Sequence, residues 1–204
     1  MVGKMYVFEG LDGAGKSTVI KLVKKELIKK GVRSSKIFVT AEPTQSSIGK
    51  KIRELLSSSK DPFFDGEFFL SLYVLDRKHH LKKDVLPALH AGKLVLCDRF
   101  KYSTLVYQSI QGINPKDIVK LHKEMIAPDI VFVLDLPVDS ALERLSRSRA
   151  SKDVFEKKNF MEKARKKFLS LNKFFPNEKI IVIDASKPLT DVVKKISGII
   201  YKTV

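Results

Sequence analysis

The sequence predicts an α/β fold, a parallel sheet covered by helices on both faces, and three observations carry that prediction. Short β-rich apolar runs alternate with longer segments of helical period, the pattern of strands joined by helical crossovers. A glycine-rich loop of phosphate-binding type follows the first run and leads into a helix. With 204 residues, 44% of them hydrophobic, the chain is long enough to bury one core without a disulfide or a metal.

The elements are expected in this order. Met5–Phe8 is the first strand, and a helix over Ser17–Lys30 is stopped by Gly31. Ile37–Thr40 is the second strand, and a Glu42-Pro43 turn leads to a helix near Ile48–Leu56. Residues 57–62 read as a loop. A long helix then starts near Asp65 and runs towards Leu89, with a bend expected at Pro87. Leu94–Cys97 is a buried strand ending at Asp98, followed by helices near Ser103–Gln111 and Pro115–Ile126. Ile130–Leu134 is the fourth strand. Pro137–Arg147 opens another helix, a basic polar stretch reaches Glu156, and Lys157–Phe174 is helical. Ile180–Ile183 is the fifth strand, and an amphipathic helix over Leu189–Tyr201 closes the chain. No repeat or linker divides it, so residues 1–204 are read as one domain.

Composition narrows the class. The single cysteine, Cys97, has no partner for an internal disulfide, and no Cys/His cluster has zinc-ligand spacing. The N-terminus enters a strand pattern with no signal segment, and no apolar run approaches bilayer length. A cytoplasmic protein that does not bind membranes is expected. The 39 Lys and Arg against 23 Asp and Glu give a net charge of +16. Much of that excess sits on helices, as in Lys21, Lys24 and Lys25, and reads as solvated surface. No motif for reading nucleic acid accompanies it, so no nucleic-acid partner is expected.

The most specific motif is Gly10-Leu11-Asp12-Gly13-Ala14-Gly15-Lys16-Ser17, followed by Thr18, a full match to the P-loop pattern in its strand-to-helix context. The glycines let successive backbone N–H groups turn towards phosphate oxygens, and the following helix adds its positive end. Lys16 supplies a charge between the β- and γ-phosphates of ATP, and the Ser17 hydroxyl suits Mg²⁺. A second magnesium-side carboxylate is expected at a neighbouring strand end. Asp98 and Asp135 both qualify, and Asp98 is favoured because Arg99 follows it and can grip a phosphoryl group in two-pronged fashion.

The stretch Phe8 to Thr18, Asp98-Arg99-Phe100 and the segment Ser103 to Gln108 together resemble thymidylate kinase. Glu42-Pro43, Arg77, Ala127-Pro-Asp129 and Asp153-Val-Phe-Glu156 follow in the family's order. The resemblance implies a P-loop fold with five parallel strands in the order 2-3-1-4-5 and a short lid at about residues 146–157. It implies transfer of the γ-phosphoryl group of ATP to dTMP, with Mg²⁺, by a homodimer. By the same resemblance, Asp12 would accept a hydrogen bond from the sugar 3′-hydroxyl and Arg99 would hold the acceptor phosphate. Arg77 would meet the pyrimidine edge, with Tyr73 stacked on the base one helical turn earlier. Thr104 would lie by the base, and Tyr107 would crowd the sugar 2′-carbon. The family places a catalytic arginine either in the P-loop or in the lid. Gly13 and Ala14 leave the loop without one, so Arg147 and Arg149 are the candidates, from a basic stretch that also holds Arg144 and Lys152. The chain reads Ala41-Glu-Pro-Thr-Gln45 where bacterial relatives commonly carry Arg-Glu-Pro-Gly-Gly, and Val154 where the lid commonly has arginine.

Two other functions fit part of the pattern. A deoxynucleoside kinase acting on thymidine would use Glu42 as base, but that family carries Glu-Arg-Ser where this chain has Asp98-Arg99-Phe100. A P-loop ATPase with a nucleic-acid partner would account for the charge but not for the acceptor-site residues. His79, His80, His90 and His122 form no ligand or triad pattern and are expected at solvated helix positions.

Overall fold

The computed structural model describes residues 3–58, 65–148 and 157–203. Among these, five strands form one parallel sheet in the order β2-β3-β1-β4-β5. The strands are β1 (Lys4–Glu9), β2 (Ile37–Ala41), β3 (Leu94–Asp98), β4 (Ile130–Asp135) and β5 (Ile180–Asp184). Met5 to Phe8, Leu94 to Cys97 and Ile130 to Leu134 are buried along their whole lengths, as central strands covered on both faces must be. The edge strands β2 and β5 leave Val39 and Val182 exposed. Register brings the carboxyl ends of β1, β2 and β3 level: Phe8 and Ala41 both lie opposite Asp98. Such carboxyl ends, near a switch in strand order, are where open α/β sheets bind ligands.

The helices are α1 (Lys16–Lys29), α2 (Ser47–Ser58), α3 (Gly66–His80), α4 (Leu86–His90), α5 (Lys101–Ile110) and α6 (Pro115–Leu121), then α7 (Val138–Ser148), α8 (Lys158–Leu169) and α9 (Leu189–Tyr201). The termini follow local chemistry. The Asp65 carboxylate accepts from the Phe68 amide at 3.1 Å, and Asn114 caps α6 at the Lys116 amide ahead of Pro115.

Three boundaries differ from expectation. The long helix does not simply bend at Pro87; it passes through a π-helical turn over Leu81–Val85 before α4. Proline 87 has no N–H and crowds the carbonyl four residues back, and that residue lies inside the widened turn. α6 ends at Leu121 rather than Ile126, because the His122 ring Nδ1 takes the Ile118 carbonyl at 2.7 Å and the His122 amide turns to Val119. α8 stops at Leu169, where a 3₁₀ turn over Leu171–Lys173 begins.

Candidate active site

The P-loop leaves β1 and reaches α1 through backbone that only glycine allows. A Cβ on Gly10 would stand 2.5 Å from the Leu134 carbonyl oxygen, and one on Gly13 would stand 2.5 Å from that of Ala141, both at positive φ. Lys16 opens α1 and is buried, with Nζ donating to the carbonyls of Leu11 at 2.8 Å and Gly10 at 3.1 Å. Burial, and then the nearby Arg99 charge, lower its pKa, while Asp12, Asp98 and Glu9 oppose the shift. A polyanion at this cradle would add a favourable charge.

The two strand-end carboxylates differ in their partners. Asp135 is held by the Arg165 guanidinium through both oxygens, at 2.7 and 3.0 Å. Asp98 Oδ2 instead accepts from the Ser17 hydroxyl at 2.6 Å. Its Oδ1 is buried with no hydrogen-bond partner among the described residues. A hydroxyl and a carboxylate side by side at the mouth of the cradle, one carboxylate oxygen uncommitted among the described residues, are hard-oxygen donors of the kind a divalent cation takes.

Arg99 follows Asp98 with φ 68°, a left-handed conformation costing on the order of 1 kcal/mol for a branched-off side chain. The surroundings hold it there. Its amide donates to the Phe8 carbonyl, and its guanidinium donates to Asp12 Oδ1 at 2.9 Å and Ser103 Oγ at 2.8 Å. The guanidinium also lies over the Tyr107 ring, 5.4 Å from its centroid. Behind it, the wholly buried Glu9 accepts from the Phe100 amide at 2.8 Å, the Ser103 amide at 3.2 Å and the Ser103 hydroxyl at 2.6 Å. This anchors the start of α5. Burial raises the Glu9 pKa, with the Arg99 charge the largest opposing influence.

Beyond Arg99 opens a cavity of about 350 Å³, of a size that suits a small ligand. Tyr73, Arg77, Thr104 and Tyr107 all line it, so the structure gathers every residue expected at the acceptor. Tyr107 is buried against Phe160 and Phe168, which raises its pKa and keeps its hydroxyl neutral. A second cavity of about 550 Å³ surrounds the P-loop. The two share a wall of Asp12, Glu42, Pro43, Arg53 and Arg99.

Several residues of this site lie beyond the sequence reading. Arg53 on α2 donates to the Thr44 carbonyl at 2.6 Å and to that of Pro43, and faces both cavities. Its spacing from Gly49 and Leu56, both buried, is the available signal, since an arginine on the inward stripe of a helix is unusual. Asp76 accepts from the Thr44 amide and from the Thr44 and Ser46 hydroxyls, pinning the loop after Glu42-Pro43. His80 and His122 are not solvated: they are 1% and 2% exposed, and both are hydrogen-bonded. His80 Nδ1 donates to Glu42 Oε1 at 3.0 Å, and Nε2 pairs with Thr40 Oγ1 at 2.6 Å. His79 and His90 are exposed as expected.

On the donor side, Arg144 of α7 reaches the cradle. It lines the P-loop cavity, and its guanidinium donates to the Ala185 carbonyl at 3.3 Å. An adjoining hollow lies between Arg144, Lys187 and Leu189, beside Gly15 and Thr18. Arg147 is exposed and pairs with Glu143 at 2.7 Å, one turn away on the same helix. Arg149, Lys152, Val154 and most of the expected lid lie outside the described residues.

Two cavities meeting at one shared wall that carries Arg53 and Arg99 give what a P-loop phosphotransferase requires, because donor and acceptor must be held against each other simultaneously. Comparison with known proteins supplies the particular family. The model of the family described as thymidylate kinase matches residues 8–196. A thymidylate kinase from Brachyspira hyodysenteriae is 37% identical over 205 residues, covering 100% of this chain and 96% of that protein. A probable thymidylate kinase from Thermococcus kodakarensis is 40% identical over 182 residues, covering 86% and 87%. One from Methanocaldococcus jannaschii is 37% identical over 188 residues, covering 92% and 90%. The chain belongs to the thymidylate kinase family, whose activity is that of a phosphotransferase acting on dTMP.

Proposed function

We propose that the chain transfers the γ-phosphoryl group of ATP to dTMP, giving dTDP and ADP for dTTP synthesis. The observation that carries this reading is the shared wall, where Asp12 of the P-loop pairs with Arg99 of the acceptor cavity at 2.9 Å. Two anions brought together there would repel, and Arg99 offsets the repulsion while orienting the acceptor phosphate. The acceptor oxygen is already anionic, so no strong general base is needed.

The cradle from Gly10 to Thr18 binds the ATP phosphates, with Lys16 at the β- and γ-phosphates. Ser17 and Asp98 would hold Mg²⁺, which would supply positive charge to offset that of the phosphates. Asp12 accepts from the sugar 3′-hydroxyl, Tyr73 stacks on the base, and Arg77 and Thr104 meet its polar edge. Tyr107 closes the sugar side. The lid supplies the transition-state cation, from Arg147 or Arg149. An exposed pair such as Arg147–Glu143 contributes little stability and would release Arg147 cheaply. Residues 1–204 act as one domain in the cytoplasm. α3 leaves Phe68 and Leu75 exposed, seven residues apart on one face, which supports a homodimer.

Thymidine as acceptor is disfavoured by Glu42. The base that reaction would need is 5% exposed and committed to Arg77 and His80. A screen of dTMP, dUMP, dCMP, dGMP and thymidine with ATP tests the reading. Turnover should be highest with dTMP, absent with thymidine, and lost on chelation of divalent cations. Preference for thymidine, or turnover unaffected by chelation, would reject it.

A further inference from the structure

We propose that His122 is a positioning residue for the acceptor base, acting as the hydrogen-bond acceptor that fixes the plane of the Arg77 guanidinium. The proposal rests on the reading of Arg77 as the residue that meets the base. Arg77 is 1% exposed and borders the acceptor cavity. Its Nε donates to Glu42 Oε2 at 2.7 Å, its Nη1 to His122 Nε2 at 2.7 Å, and its Nη2 to Thr104 Oγ1 at 2.9 Å. The Phe100 ring lies 5.3 Å from the guanidinium carbon and closes one face.

Glu42 alone cannot set this geometry. Its second oxygen is given to His80, so it holds only Nε, and a guanidinium held at Nε alone can still swing its two terminal nitrogens. Nη1 and Nη2 are what fix the plane, and His122 takes the first of them. Of the five N–H donors of an arginine, three are thereby committed among the described residues. The remaining two are left for the cavity, where they suit a base presenting carbonyl oxygen rather than an amino group.

His122 can play this part because of how α6 ends. Its Nδ1–H donates to the Ile118 carbonyl at 2.7 Å, so the neutral ring must offer a lone pair at Nε2. Burial, and then the Arg77 charge, hold its pKa down to about 3, and the ring stays neutral at physiological pH. A hydrogen bond that stops the helix thus sets the tautomer that receives Arg77. His122 is not among the residues that line the acceptor cavity, and its influence passes through Arg77.

Steady-state kinetics on the purified full chain test this. His122→Leu fills the site with an apolar side chain and removes the acceptor. It should raise the dTMP KM by roughly tenfold or more while kcat and the ATP KM stay within about threefold, the pattern of lost uniform binding. His122→Gln can place Oε1 near the position of Nε2 and should restore most of the affinity. Arg77→Ala should raise the dTMP KM further, and adding His122→Leu to it should change nothing more, because the two residues act in series. Should His122→Leu not fold, His122→Met serves in its place. An unchanged dTMP KM in the Leu or Met variant, with Arg77→Ala impaired, would overturn the role of His122 alone. An unchanged KM in Arg77→Ala would overturn the reading of Arg77 and the proposal with it.

Discussion

Arg99 shows how a single residue can be held in an unfavourable conformation by several partners at once. Its left-handed backbone costs something, and its bonds to Asp12, Ser103 and the Phe8 carbonyl offset that cost. Arg99→Ala should lower kcat by about 10²-fold or more, since the lost charge acts where the transferring group develops its own. Arg99→Gly should be equally inactive yet no less stable than Arg99→Ala, because glycine accepts positive φ freely. Thermal melts beside kinetics separate the two effects. If Arg99→Ala keeps near-normal turnover, the acceptor grip is wrong.

His122 also makes a prediction at this scale. Its folded pKa of about 3 lies below the unfolded value of 6.5, so the unfolded chain takes up a proton that the folded chain refuses. The associated stability is fully present above pH 6.5 and falls as the pH drops from 6.5 towards 3, by roughly 1 kcal/mol per unit. Denaturant unfolding at pH 7 and pH 5 should show a steeper loss for the wild type than for His122→Gln. Equal losses would contradict the buried neutral ring.

At the scale of elements, β1 carries both halves of the site. Its last residue, Glu9, anchors α5 from below, and the loop that follows it forms the cradle. Glu9→Leu leaves the Phe100 and Ser103 amides without their acceptor and should cost about 2 kcal/mol. It should also reduce turnover by loosening Arg99, to which Ser103 is bonded. Gly10→Ala drives a methyl into the Leu134 carbonyl and should abolish ATP binding by calorimetry even where the chain still folds.

The same scale shows what the sequence could reveal. The strands and the cradle were legible because periodicity and the P-loop spacing are local signals, and Asp98 was legible because a strand end is local too. His80 and His122 were not, because their partners Glu42 and Arg77 lie 38 and 45 positions away and a buried histidine on a lysine-rich helix reads as solvated. The sequence from Arg144 to Arg149 repeats one residue type within six positions. Only the neighbouring Ala185 and the cradle distinguish Arg144 as the one lying against the P-loop. Arg53 was hidden for the same reason, since its importance depends on loop carbonyls that face it only in the fold.

For the whole molecule, the parallel sheet brings the carboxyl ends of β1, β2 and β3 together, where the cradle, the Glu42 loop and Asp98-Arg99 converge. Two cavities and a common wall follow from that topology, and the net charge of +16 suits a protein whose ligands are polyphosphates. We propose that the phosphoryl group passes across this wall from one cavity to the other rather than to water. Chromatographic separation of nucleotides after incubation with ATP, Mg²⁺ and dTMP measures this directly. dTDP and ADP should form in equal amounts, with negligible ADP when dTMP is omitted. ADP formed without dTDP, and raised by added DNA or RNA, would contradict it.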